Sequence, residues 1–198
     1  MRKTFFATSF VILSTFAQCL HGQDSIKVLL EGVYDADQKA RDNMEKLIEK
    51  YGIDSPQVDS MKTIMLRSDS LNEEFMKSFL EEHGFLSRSK VGEKGVQAEF
   101  LVIQHSCNLD FQKKWLPEIW RLAGIGELPN EMAAMLDDRV RLRTGLKQLY
   151  GTQFKWNPDN NEWQLEEIED PENVNTKRLE LGMVTIEEYL NSYKKSEQ

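Results

Sequence analysis

The stretch LYGTQF, residues 149–154, marks where the chain changes period. For most of the sequence before it, apolar residues recur every three or four positions, the signature of helices with one buried face. From here they alternate: Tyr150, Thr152, Phe154 and Trp156, then NPDNN (157–161), then Trp163 and Leu165. Alternation on both sides of a turn-forming cluster predicts a β-hairpin over about 149–166. In such a strand Tyr150 and Thr152 share one face, while Gly151 and Gln153 share the other. The fold class is therefore mainly α: a multi-helix single domain over 24–195 with one small hairpin (α+β) near the C-terminal third.

The helices are read outward from that point. Ile26, Leu30, Tyr34, Met44, Ile48 and Tyr51 mark the first, which Gly52 ends. Ser55 and Pro56 form a cap and first-turn pair for the next, carrying Val58, Met61, Met65, Phe75 and Phe79. Ser70 with Glu73 makes a capping box inside it, which predicts a break into two pieces. Gly84 closes it, and FLSRSKVGEKG (85–95) reads as a loop. Helical spacing resumes at Val96, Phe100, Ile103 and Cys107. It continues after a cap at Asn108 or Asp110 with Phe111, Trp115, Ile119 and Leu122, where Pro117 predicts a kink or a first turn. Pro129 opens a helix with Met132, Leu136 and Val140. Two short helices, around Thr176–Leu181 and Thr185–Tyr193, follow the hairpin.

The N-terminus follows a different logic. Arg2 and Lys3 precede an apolar run, Phe5 to Phe16, too short for a bilayer span. Thr15 and Ala17 then have the spacing a signal peptidase needs, with Gly22 as a second candidate cut. Residues 1–22 are thus expected to be a signal peptide, placing the mature protein in the periplasm or outside the cell. A lipid anchor at Cys19 fits less well, because Gln18 stands where lipoprotein signals carry a small residue. Cutting after Gly22 leaves Cys107 as the one thiol, which excludes an internal disulfide. Losing Arg2 and Lys3 takes the net charge from −8 to −10. That argues against nucleic acid as a partner.

Polar residues inside apolar stripes point to a site. At a hundred degrees per residue, Asp37 and Arg41 fall between Tyr34 and Met44, and Asn72 between Met65 and Phe75. Gln104 borders Phe100, Ile103 and Cys107, and Arg139 lies in line with Met132 and Leu136, while Asp138 points away from that stripe. Charges on a core-facing stripe are costly unless paired. Asp37 and Arg41, four residues apart, can pair with each other; Arg139 needs another acceptor. His105, beside Gln104, has the side chain suited to moving a proton near neutral pH. No motif for a metal, a cofactor, a phosphate loop or a serine nucleophile occurs.

The same residues carry a family resemblance. The blocks DADQKAR (35–41), EEHGFLSRSKVG (81–92), FLVIQHSCNLDFQKKWLP (100–117), MLDDRVRLRTGLKQLYGTQF (135–154) and EIEDPENVNTKRLELGM (167–183) resemble the bacterial domain-of-unknown-function family 6624. Phe85 departs from the family's usual Trp-Pro, and SCN after His105 replaces a more acidic sequence. The resemblance implies a shared fold and the motif positions Asp37, Gln38, Arg41, Gln104, His105, Asp138, Arg139, Tyr150, Gly151 and Gln153; it implies no activity.

Two readings of function stand side by side. One is an exported hydrolase-type acid–base enzyme. In it His105 moves the proton, Arg139 and Arg41 hold an anion, and Asp37 orients an arginine. Gln104 and Gln153 fix the ligand, and Gly151 allows close approach. The other is a non-catalytic module that binds a small polar or anionic ligand, or a partner, with the same residues. Either predicts that Asp37, Arg41, Gln104, Arg139 and Tyr150 or Gln153 line one concave pocket, with His105 at its rim.

Overall fold

A computed structural model describes residues 8–160 and 162–196, with side chains for 24–160 and 162–192. Arg2, Lys3 and the side chains of the expected export segment lie outside the described residues. Among the described residues are seven helices and one two-stranded antiparallel hairpin, so the chain is mainly α with a small β element. No described helix is long and apolar enough to cross a membrane. The described residues form two compact units, divided between Val102 and Ile103.

The first unit is built on α1 (Thr8–Tyr51) and α2 (Pro56–His83), with most of α3 (Arg88–His105). Gly52 ends α1 at φ 82° and donates its N–H to the Ile48 carbonyl. Ser55 then caps α2, its hydroxyl accepting from the Val58 N–H at 3.4 Å, and Pro56 fills the first turn, where no N–H is needed. The break expected at Ser70 does not occur: α2 runs unbroken to His83. An N-cap needs a non-helical residue, and the apolar stripe through Val58, Met76, Phe79 and Leu80 keeps this stretch helical. The segment read as a loop at 85–95 is partly helical. α3 starts at Arg88 and is interrupted at Gly92, with φ 75° and ψ 178°.

The second unit pairs α4 (Leu109–Gly124) with α5 (Asn130–Arg143). Asn108 is the cap of α4, its side chain accepting from the Phe111 N–H at 3.1 Å. Pro117 lies inside α4, which continues to Gly124. Phe111, Ile119 and Leu122 are buried as their spacing predicts, while Trp115 is half-buried. The hairpin follows as β1 (Phe154–Asn157) and β2 (Glu162–Leu165), with Phe154 opposite Leu165 and Trp156 opposite Trp163. The two indoles meet edge to face at 5.5 Å. α6 (Val174–Glu180) and α7 (Ile186–Ser196) complete the unit.

The strand is shorter than the sequence pattern suggests. β1 begins at Phe154, so Tyr150–Gln153 are not strand and do not present alternating faces. The reason is a single carboxylate. Leu149, Tyr150 and Thr152 all donate their backbone N–H to Asp138 of α5, at 2.6, 3.1 and 3.1 Å. A strand sends successive N–H groups to opposite sides, so adjacent residues cannot both reach one acceptor in extended form. Gly151, at φ 70°, makes the bend.

Candidate functional site

The motif residues divide between the two units. In the first, Asp37 on α1 is 8% exposed and accepts from Arg41 Nη2 at 3.0 Å and from Gln38 Nε2 at 2.9 Å. The i, i+4 pair read from the sequence is thus present. The sequence reading omitted Asp69, which accepts from the same Arg41 nitrogen at 3.1 Å and ties α2 to α1. With two carboxylates on one guanidinium, the charge of Arg41 is already answered, which favours a scaffold role over holding an external anion. Its Nε is buried without a hydrogen-bond partner. Asn72 is half-buried on α2.

In the second unit Gln104 is 1% exposed. With its amide turned so that oxygen meets donor, it accepts from Arg139 Nε at 2.9 Å and Nη2 at 3.2 Å. Two bonds from one guanidinium edge fix its plane. This is the acceptor that Arg139 needs, and it links the end of α3 to α5. His105, half-buried, is the next residue and the last of α3.

That helix end is held by two residues absent from the sequence-level site. Gln112, fully buried on α4, donates to the carbonyls of Ile103, Gln104 and Ser106 at 3.1, 3.1 and 3.2 Å. Its oxygen accepts from Arg143 Nη1 at 2.6 Å. Arg143 also donates to the carbonyls of Ser106 and Cys107, at 3.1 and 2.5 Å. The last carbonyls of a helix have no partner within it, and a cation there is favoured by the helix dipole. Gln112 and Arg143 therefore fix the turn that presents Gln104 and His105.

The stretch at 148–153 is equally fixed. Asp138 points away from the apolar stripe of Met132 and Leu136 in the sequence pattern. It is nonetheless fully buried, because the chain at 149–152 covers that side of α5. Besides the backbone donors it accepts from Thr152 Oγ1 at 2.9 Å. Burial pushes its pKa up, and bonds from Leu149, Thr152 and Tyr150 pull against that shift. Every partner is a donor, so the arrangement is built around the ionised carboxylate.

Gln148, also fully buried, accepts from the Gln153 N–H at 2.9 Å and donates to the carbonyls of Gln153 and Glu166. From the other side Arg178, fully buried on α6, donates to the Tyr150 carbonyl at 2.6 Å and the Val184 carbonyl at 2.7 Å. Its guanidinium carbon lies 4.8 Å from the centre of the Tyr189 ring.

Three expected ligand residues have structural occupations. Gln153 donates its amide to the Met135 carbonyl at 3.3 Å and to Thr152 Oγ1 at 3.1 Å. Gly151 is buried where a Cβ would lie 2.7 Å from Ile186 Cδ1 and 3.1 Å from Ile168 Cδ1. The close approach it permits is to the core of its own unit. Tyr150 is half-buried, its ring 6.0 Å from that of Trp120. Burial, then the nearby Asp137 and Asp138 charges, push its phenol pKa up.

The arrangement supplies a planar cation fixed by an amide, and an imidazole at the end of a braced helix. A stripe test applied to every helix would have found Gln112, which lies three and seven residues before Trp115 and Ile119. No curated protein and no solved structure matches the chain. The model of the family of unknown function DUF6624 matches residues 25–196, and the chain belongs to that family.

Proposed function

We propose that this is an exported protein whose second unit binds a small polar or anionic ligand through Arg139, with His105 as the proton-moving group of a hydrolase-type acid–base reaction. The observation that carries the reading is the Gln104–Arg139 pair. Gln104 orients the guanidinium through two hydrogen bonds and, being a neutral amide, adds no negative charge that would oppose an anion. Buried amides brought together with half-buried and exposed cations at the end of a braced helix are local departures from an apolar core, and such departures concentrate at functional sites. A non-catalytic binding module is the second reading. It draws on the commitment of Gln153 and Gly151 to the scaffold, which leaves recognition by Arg139 as the simpler task.

Native mass spectrometry of the protein as purified from its own export route tests both. A bound small molecule is expected on the wild type, and Arg139→Gln should lose it while keeping the far-ultraviolet circular dichroism of the fold. His105→Gln should retain the ligand unconverted if His105 moves the proton. Retention in Arg139→Gln sinks the ligand reading, and unchanged conversion in His105→Gln leaves the binding module.

A further inference from the structure

Glu99 has no part in the site above, yet it is fully buried in the first unit. Its Oε1 accepts from the Leu86 N–H at 3.1 Å, thirteen residues back along the chain. Its Oε2 is buried with no hydrogen-bond partner. Leu86 lies in a short segment bounded by two glycines at positive φ: Gly84 at 63°, closing α2, and Gly92 at 75°, interrupting α3. Both backbones sit where other residues are strained, so the segment has hinge-like joints at each end and a tether near one of them. Val91 docks by burial at its far end.

We propose that Glu99 is a proton-operated latch: its neutral carboxyl keeps Phe85–Val91 docked between the two glycine joints, and loss of the proton releases that segment. The geometry carries the proposal, since a buried carboxylate with one donor and one orphaned oxygen is a poor place for a negative charge. Burial pushes the Glu99 carboxyl up to about 8, and the Leu86 N–H draws it only partly back. Neither influence comes from a charged side chain. The charged side chains around the segment pair with one another or, like Lys90, are exposed. Arg88 meets Glu93 at 3.0 Å and Lys94 meets Asp35 of α1 at 2.7 Å. Lys27 and Glu31 of α1 pair with each other beside Gly92. Glu81, Glu82 and His83 are exposed at the end of α2.

The sign follows from linkage. Glu99 has a raised pKa in the docked state and the ordinary value of 4.5 when released to solvent. Docking is thus fully favoured below 4.5 and weakens by about tenfold in its equilibrium constant per pH unit until about 8, where it levels off.

Hydrogen exchange of the full chain between pH 5 and 9, corrected for the intrinsic pH dependence of exchange, reads this directly. Protection at Leu86–Val91 should fall by about tenfold per pH unit up to about 8 in the wild type, and Glu99→Gln should hold it constant. Wild-type protection that does not change with pH, or a variant that follows the wild type, overturns the latch. Should the variant fail to fold, the side-chain carboxyl carbon of Glu99 in wild-type protein decides. A nuclear magnetic resonance midpoint near 8 supports the latch, and one near 4.5 ends it.

Discussion

Replacing Asp138 by Asn tests whether one carboxylate fixes the path of the chain after α5. The substitution keeps the shape and removes the charge and one acceptor atom. Oδ1 accepts from Leu149 and Tyr150, and Oδ2 accepts from Tyr150, from the Thr152 N–H and from Thr152 Oγ1. The amide can keep its oxygen on only one of these sides. With oxygen toward Leu149, the NH2 faces the Thr152 N–H. The threonine hydroxyl can rotate to accept, but the backbone N–H cannot. At least one buried N–H is then orphaned, at about 1–3 kcal/mol, and the remaining bonds lose their charge assistance, at about 1 kcal/mol each. Relief of the buried charge offsets part of this, leaving a net loss of roughly 2–5 kcal/mol. Urea unfolding at pH 7 measures it. Thr152→Val, which removes the hydroxyl's bonds to Asp138 and Gln153 but keeps the backbone donors, should cost about 1–2 kcal/mol, and the double variant should lose clearly less than the sum. A loss below about 1 kcal/mol for Asp138→Asn, or full additivity, would refute the account of the carboxylate as the organiser of Leu149–Thr152.

Gly151→Ala should cost about 1–3 kcal/mol. The residue sits at φ 70° and the new methyl lands 2.7 Å from Ile186 Cδ1, the flexible end of a side chain that can yield in part. A neutral result in chemical unfolding would mean the backbone there is not held as described. For export, Edman sequencing of protein recovered outside the cytoplasm should find a mature start between Gln18 and Asp24; a retained Met1 would reject the signal peptide.

How much of this was legible in the sequence depends on what each residue packs against. The helices were, because Val58, Phe79, Phe100, Ile119 and Leu136 repeat with the period of a one-sided helix and are buried accordingly. The hairpin was legible from Phe154 to Leu165 but not its start: Tyr150 and Thr152 continue the alternation only in letters, and the Asp138 carboxylate overrides it. The burial of Asp138 was not legible because the stripe test assumes one buried face. α5 is buried on more than one, with Ala133, Ala134, Leu136, Asp138 and Val140 all inside, and the cover over its second face comes from residues eleven to fourteen positions later. A local pattern cannot contain that information.

Glu99, Gln112, Asp69 and Arg178 are a different case. Glu99 lies three and four residues from buried Val96 and Ile103, and Arg178 four from buried Val174, while Gln112 and Asp69 lie seven residues before buried Ile119 and Met76 on their own helices. The signal that singled out Asp37 and Gln104 was present at all four. What separates them is the partner each found. Asp69 and Gln112 meet side chains, Arg41 and Arg143, and tie one helix to another. Arg178 meets backbone carbonyls and an aromatic face, keeping one nitrogen unpaired. Glu99 meets a single N–H and keeps an oxygen unpaired. Buried polar groups that satisfy one another specify packing, whereas one left half-satisfied is free energy held in reserve. Arg178 and Glu99 both meet that measure, but Arg178 has two carbonyls and an aromatic face for its charge, whereas Glu99 has one N–H. Its titration changes the charge next to the Leu86 tether, and with it the energy of the Phe85–Val91 segment.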